Sequence, residues 1–377
     1  AYDEQGNRTD TWYIGLDGNL MVRSDLGYAH ERTSVDRLGN TKDVTYYDAN
    51  EEPTAGKEKG YSRVVYEYNA QNQSIRETYY DGEKRLVIGK KYCCAGFEYA
   101  YDTRGNQTDI WYIGQDSKRM VRSDLGYAHC RMEYDEQGNI KTEAYFDADD
   151  VPAVAKEGGY AKIEYQYDAF GQCREKHYYD SQNQFVINTK NQAAGIRYSY
   201  DEAGNQTDIW YLGTDGMPMV SSEVGYAHCH SEYDKLGNGT KYAYFDAAGY
   251  PAVRKGYGYA SVIYQYNPLG QCVYVAYYDT DGEPVISTKD QCAAFAYDYD
   301  SMGNRVGIRY FDTDGALMVC SNVGYAQYHA EYDTRGELVR ESYYDTTGSL
   351  TIQKEYGYAT VEYQYDALGR RVREAYY

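Results

Sequence analysis

The chain has 377 residues, with 51 Tyr against 7 Phe, and a formal net charge of −20 from 38 Lys and Arg and 58 Asp and Glu. That balance excludes a phosphate-neutralising nucleic-acid surface and a polybasic contact with anionic membrane, and no apolar run reaches membrane-spanning length. A thick dry core made of Tyr would strand hydroxyls that need partners, so a thin-walled or elongated body is expected, with rings stacked in a sheet layer and hydroxyls reaching an edge, water or a carbonyl.

One Tyr returns every 33 residues: Tyr13, Tyr46, Tyr79, Tyr112, Tyr145, Tyr178, Tyr211, Tyr244, Tyr277, Tyr310, Tyr343 and Tyr376. A constant period of this kind marks a repeat architecture, in which each unit buries its face against its neighbours. Within a unit the first element is a strand of period two, as in Ile163, Tyr165 and Tyr167 or Val361, Tyr363 and Tyr365. It ends on a Tyr, replaced only at Val35, and an Asp or Asn follows at every copy.

A turn comes next. Asp102 and Gly105, Asp135 and Gly138, Asp168 and Gly171, Asp201 and Gly204, and Asp300 and Gly303 all show the same Asp-x-x-Gly spacing. The one copy without Gly has Asn72, the residue that best tolerates positive φ after Gly. The spacing predicts a type I turn with a G1 bulge, its Asp carboxylate capping backbone amides.

A second strand follows, over Asn205 to Leu212 or Glu341 to Tyr344, and ends on the unfailing Tyr. A looser turn comes after it, as in Asp279-Thr280-Asp281-Gly282. The pairs Met120-Val121, Val285-Ile286 and Met318-Val319 then suggest a short third strand, and a Gly-Tyr-Ala link such as Gly126-Tyr127-Ala128 closes the unit.

The fold class is therefore all-β: tandem 33-residue β-hairpin repeats stacked into an elongated solenoid or superhelical sheet. Residues 1–377 read as one continuous array of about twelve units. The array is expected to be a segment of a longer one, since it starts and stops inside a unit without the polar caps that solenoids carry. Trp12, Trp111 and Trp210 are 99 residues apart, as are the Gly-Tyr-Ala-His runs ending at His30, His129 and His228. Units thus come in threes, either from duplication of a three-unit block or because three units complete a superhelical turn.

The signature in Tyr101-Asp102-Thr103-Arg104-Gly105-Asn106 and Tyr134-Asp135-Glu136-Gln137-Gly138-Asn139 resembles the YD repeats of the Rhs group, and the resemblance covers the whole chain. It implies a bacterial protein that is secreted or on the cell surface. It also implies β-sheet strips that can coil into hollow shells around a toxin, with carbohydrate binding in some members. The unit here is longer and stricter than the usual YD repeat and no toxin or autoproteolysis segment is seen, which suits a uniform rod better than a closed cocoon.

Site candidates are few. The turn at Asp279 to Gly282 and its counterpart at Asp312 to Gly315 lack the further oxygen ligands of a calcium loop, so hairpin turns are expected there; Ca2+ between repeats is the one cofactor left open. His129-Cys130 and His228-Cys229-His230 have soft-metal ligand types, but the matching places read His30-Glu31 and Gln327-Tyr328, so no metal site is expected. Trp12, Trp111 and Trp210 are candidates for stacking on sugar rings, set against membership of a structural aromatic ladder with the 33-residue Tyr series. The sequon-like runs at Asn7, Asn106 and Asn205 follow the turn Gly and reflect turn chemistry. The eight Cys form no C-x-x-C zinc pair and fill no phase throughout, so they read as small buried apolar residues, with disulfides open.

Carboxylates and Tyr recur in register and no acid, base or nucleophile is singular, so no catalytic role is expected. The reading is an extracellular structural repeat protein forming a stiff rod or filament, with self-association through copies of the same repeat. Alternatives are a carbohydrate-binding or adhesin module and an Rhs-like shell for a toxin. Whether strands pair within units, between units or between molecules is left open by sequence.

Overall fold

The structure is a computed structural model that describes all 377 residues. It contains 23 strands and no helix. The chain divides into two compact units, Ala1–Lys190 and Asn191–Tyr377. The first carries the strands from Asp10–Trp12 to Cys173–Tyr179, the second those from Gly195–Tyr200 to Arg371–Tyr376.

Each repeat is one antiparallel hairpin. Gly96–Tyr101 pairs with Gln107–Ile113 from Gly96↔Ile113 to Tyr101↔Gln107, and the register shifts by a bulge between Ala100 and Tyr101. The same pairing and bulge recur in the hairpin of Ser261–Tyr266 with Cys272–Tyr278 in the second unit. Successive hairpins are joined by a shorter ladder: Ser74–Tyr80 meets Gly96–Tyr101 through Arg76↔Glu98, Glu77↔Phe97 and Thr78↔Gly96. Inside each unit, then, strands pair both within a repeat and between repeats, which periodicity alone left undecided.

The expected third strand is not formed. After Gln107–Ile113 the chain makes one isolated bridge, Ile113↔Arg119, and one ladder bond from Met120 N to Tyr112 O at 2.8 Å. It then turns again, with Gly126 N donating to Arg122 O at 2.8 Å and Arg122 N to Tyr127 O at 3.0 Å. Two tight turns lie so close together that only a single register position separates them. Met120, Val285 and Met318 pack against the core instead, while Val121 and Val319 beside them are exposed.

The core lies toward this end of the hairpins. Tyr79, Ile113, Val64 and Cys94 are fully buried in the first unit, and Leu212, Val262 and Cys292 in the second, whereas Arg104 and Gly105 in the Asp-x-x-Gly turn are exposed. The hairpins thus have a buried rim and an exposed rim. At the buried rim, consecutive loops are bonded directly: Lys156 N donates to Leu125 O at 2.8 Å and its Nζ to Ser123 O at 2.6 Å. Lys255 does the same to Val224 O and Ser222 O.

Candidate functional site

The exposed rim is a row of identical turns. Asp102 N donates to Asn106 O at 2.9 Å and Gly105 N to Asp102 O at 3.1 Å. Asp102 Oδ1 accepts from the amides of Arg104 and Asn106, both at 2.9 Å, and Oδ2 accepts from Asn106 Nδ2 at 2.9 Å. These bonds, led by that from the Asn106 side chain, hold the Asp102 carboxyl below its ordinary range. Asp135, Asp201 and Asp300 make the same contacts with Asn139, Asn205 and Asn304, and Asp168 Oδ1 accepts from Phe170 and Gln172 amides. Gly105, Gly138, Gly171, Gly204 and Gly303 all have φ between 78° and 91°. Asn72 takes φ 68° at the same place. Where Asn replaces the turn Asp, Gln replaces the partner Asn: Asn69 Nδ2 donates to Gln73 Oε1 at 2.9 Å, and Asn267 Nδ2 to Gln271 Oε1 at 2.8 Å. Reversing donor and acceptor keeps the pair satisfied.

The Tyr before each turn ties its repeat to the one before. Its hydroxyl donates to a backbone carbonyl 27 residues back, as in Tyr101 to Ser74 O at 2.7 Å, Tyr134 to Gln107 O at 2.8 Å and Tyr167 to Ile140 O at 2.9 Å. Tyr233, Tyr266, Tyr299 and Tyr365 do so in the second unit. Phe at this place would forgo that bond between repeats.

At the buried rim the 33-residue Tyr series does not touch itself. Between its members stand the tyrosines of the Gly-Tyr-Ala links, which sequence reading treated only as closures. Ring centroids run Tyr13, Tyr28, Tyr46, Tyr61, Tyr79 at 6.0, 4.6, 6.2 and 4.4 Å. Further along, Tyr112, Tyr127, Tyr145, Tyr160 and Tyr178 follow at 5.8, 4.5, 5.9 and 5.0 Å. In the second unit Tyr211, Tyr226, Tyr244, Tyr259 and Tyr277 form the same row, as do Tyr310, Tyr325 and Tyr343. Every third link lacks its Tyr: Cys94, Ala193 and Cys292 stand there, 99 residues apart. Phe97 fills the gap beside Cys94, touching Tyr79 and Tyr112 at 6.4 and 5.6 Å, and Phe295 does so beside Cys292. Beside Ala193 it is Ile196, also buried, that stands at the corresponding position. At Cys94 and Cys292 the lost ring is thus matched by a gained Phe, whereas Ile196 is the residue type that Ile163 already supplies beside Tyr160.

Buried hydroxyls donate to nearby carboxylates. Tyr79 reaches Glu77 and Tyr145 reaches Glu143, both at 2.7 Å, and Tyr277 reaches Asp290 at 2.8 Å. Burial first, then these carboxylates, pushes all three phenols far above their ordinary value. The Cys are all free thiols, five of them buried, and burial lifts Cys292 to about 12.

The three Trp each lie opposite a His on the next strand: Trp12↔His30, Trp111↔His129 and Trp210↔His228. The ring pairs stack at 5.0, 4.8 and 3.6 Å. On the following strand Tyr47, Phe146 and Phe245 approach the same His at 5.1, 5.2 and 5.3 Å. Arg119 lies over the Trp111 ring at 4.9 Å, so a sugar ring would compete with His129 and Arg119 for that surface.

His30 is closed in by charge: Nε2 meets Asp10 and Nδ1 meets Glu51, both at 2.9 Å, while Arg32 Nε donates to Asp10. His129 repeats this with Asp109 and Asp150 at 2.8 Å and Arg131 on Asp109. In the third copy Asp208 is kept, but His230 stands in place of Arg and Gly249 in place of the second acid. His228 Nε2 and His230 Nδ1 both lie 2.8 Å from Asp208 Oδ1. The side chains of Asp279 and Asp312 are used by their own turns, each accepting two backbone amides.

No family model matches the chain, and no curated protein matches it. Solved structures do. The chain is similar to one described as a crystal structure of TcdB2-TccC3, at 14% identity over 93% of this chain and 21% of that one, with a TM-score of 0.30. It is also similar to a Photorhabdus luminescens Tc holotoxin pore structure, at 13% identity over 92% of this chain and 22% of that one, with a TM-score of 0.20. The chain thus spans about a fifth of the length of these neighbours.

Proposed function

We propose that this chain is a structural tandem-repeat protein of the YD-repeat type that works outside the cell as part of a stiff rod or fibre. The observation that carries the reading is the tie between repeats: each hairpin is bonded to the next by a short ladder, a Tyr hydroxyl and an aromatic contact, copied every 33 residues within each unit. Many equivalent weak ties, each aromatic pair worth about 0.2–1 kcal/mol, favour stiffness over a single deep site. The Tyr-Asp-x-x-Gly-Asn signature supports membership of the Rhs group, and with it a secreted or surface location. On this reading the chain has no catalytic role, associates with copies of its own repeat, and takes neither nucleic acid nor membrane as partner.

Electron microscopy of the native material tests this. Extended particles of uniform width are expected; compact particles with no preferred long axis would refute it. A glycan array run alongside separates the adhesin reading, which requires a retained glycan that Trp111→Ala releases.

A further inference from the structure

Among the three copies of the Trp–His cluster, one has lost both groups that close the other two. Asp208, His228 and His230 bring a carboxylate oxygen and two imidazole nitrogens within 4.8 Å of one another. In the sister clusters the His side chain is fully buried, at 0% exposure, between two carboxylates, and a guanidinium occupies the first of them. Here the His228 side chain is 12% exposed and that of His230 is 41%. Gly249 removes the second acid, which leaves Asp208 as the hydrogen-bonding partner of His228. Replacing Arg by His removes a fixed positive charge and supplies an imidazole nitrogen in its place.

We propose that Asp208, His228 and His230 form a binding site for a first-row divalent transition ion of the Zn2+, Ni2+ and Co2+ class, held by two imidazole nitrogens and one carboxylate oxygen, with its other positions open to water. An ion about 2.1 Å from each donor sets neighbouring donors about 3.0 Å apart in an octahedral shell and about 3.4 Å in a tetrahedral one. The two nitrogens already lie 2.8 Å from Asp208 Oδ1. Imidazole with carboxylate selects this class over Ca2+ and Mg2+, which take all-oxygen shells. The ligands are held before the ion arrives. His228 is fixed between Trp210 at 3.6 Å and Phe245 at 5.3 Å, and Asp208 and His230 face each other across paired strands. The net charge of −20 favours cations generally, but only this cluster offers two imidazoles. The site is independent of the structural role proposed above.

Two substitutions test the site with the repeat's own residues. His230→Arg places the residue found at Arg32 and Arg131, and His228→Gln the residue found at Gln327, so both are tolerated by the same hairpin elsewhere. Zn2+ is titrated by calorimetry into the tag-free full chain at neutral pH under reducing, chelator-free conditions. One ion per chain is expected for the parent, with affinity at least about tenfold weaker in each variant and circular dichroism unchanged. Co2+ provides the second readout, with ligand-field bands and no thiolate charge-transfer band. No binding by the parent, equal binding by the variants, or a thiolate band that assigns the ion to Cys would each overturn the proposal.

Discussion

The two rims of the hairpins use the same backbone device for different ends. At the exposed rim Gly138 has φ 89° and a Cβ added there would meet nothing within 4 Å. At the buried rim Gly126 has φ 87°, but a Cβ would lie 3.0 Å from both Val154 O and Lys156 Cγ of the next loop. The first Gly answers a conformational demand alone; the second also answers a demand for space. Asn72 can therefore take the place of Gly at the exposed rim, with φ 68°. Replacement at the buried rim occurs where the facing residue is small: Cys93, Gln192 and Gln291 have φ of 52°, 51° and 56°, and the residues 30 further on are Ser123, Ser222 and Ser321. Ser321 Oγ even donates to Gln291 Oε1 at 3.1 Å. The exposed rim is a local turn repeated, joined to its neighbours through side chains such as Tyr134 and Arg104; at the buried rim the loop backbones themselves form the interface between repeats.

The largest effect that would separate the rims is alkaline. Burial raises Tyr28, Tyr46, Tyr79, Tyr145 and Tyr226 above the ordinary phenol value. The unfolded chain therefore releases these protons first, near pH 10. Stability is expected to be intact below about pH 10 and to fall as pH rises through it, followed by circular dichroism with the phenolate absorbance at equilibrium; full ionisation with strands intact would break the comparison. Next is Tyr79→Ala, which removes a fully buried ring and is expected to cost about 3–5 kcal/mol in urea unfolding, the range of large aromatic truncations.

The Gly pair sharpens the contrast directly. Gly138→Ala should cost about 1–2 kcal/mol from the left-handed backbone alone, and Gly138→Asn less. Gly126→Ala should cost more than Gly138→Ala, because a loop must also move. Equal losses for the two Ala variants would show that the buried rim is looser than described. Smaller again, Tyr134→Phe should lose about 1 kcal/mol with its bond to Gln107 O. The smallest effect is acidic. The exposed turn carboxylates, among them Asp102, Asp135 and Asp300, are held below the ordinary range by turn bonds. Their contribution is thus present above about pH 4 and lost as pH falls below it, read as a lowered urea midpoint.

The exposed rim was legible because its determinants are consecutive. Asp, Gly and the single Asn72 exception specify a backbone geometry by themselves, and the alternating strands beside them specify their own faces. The buried rim was not, because its determinants are relational. Tyr28, Tyr61 and Tyr127 become ladder members only once a neighbouring strand brings Tyr46, Tyr79 and Tyr145 alongside, and the hydroxyl of Tyr101 finds its carbonyl in the preceding repeat. The third strand is absent for the same reason: Met120 is apolar because it packs against the core, not because it belongs to a strand. The His228 cluster hid behind its sister copies, since all three carry His at that phase; the signal lay in Gly249 and His230, whose meaning depends on what they replace at Asp150 and Arg131.

The claim beneath the whole account is that within each unit every repeat folds as the same hairpin, tied to the next at both rims. Amide hydrogen exchange, read by mass spectrometry across the chain, tests it most directly. The account predicts protection recurring every 33 residues, high in strands such as Gly96–Tyr101 and Gln107–Ile113 and high also at the loop amides of Lys156 and Lys255, which are bonded to the preceding repeat. Protection without that period, or fast exchange at those two loop amides, would contradict it.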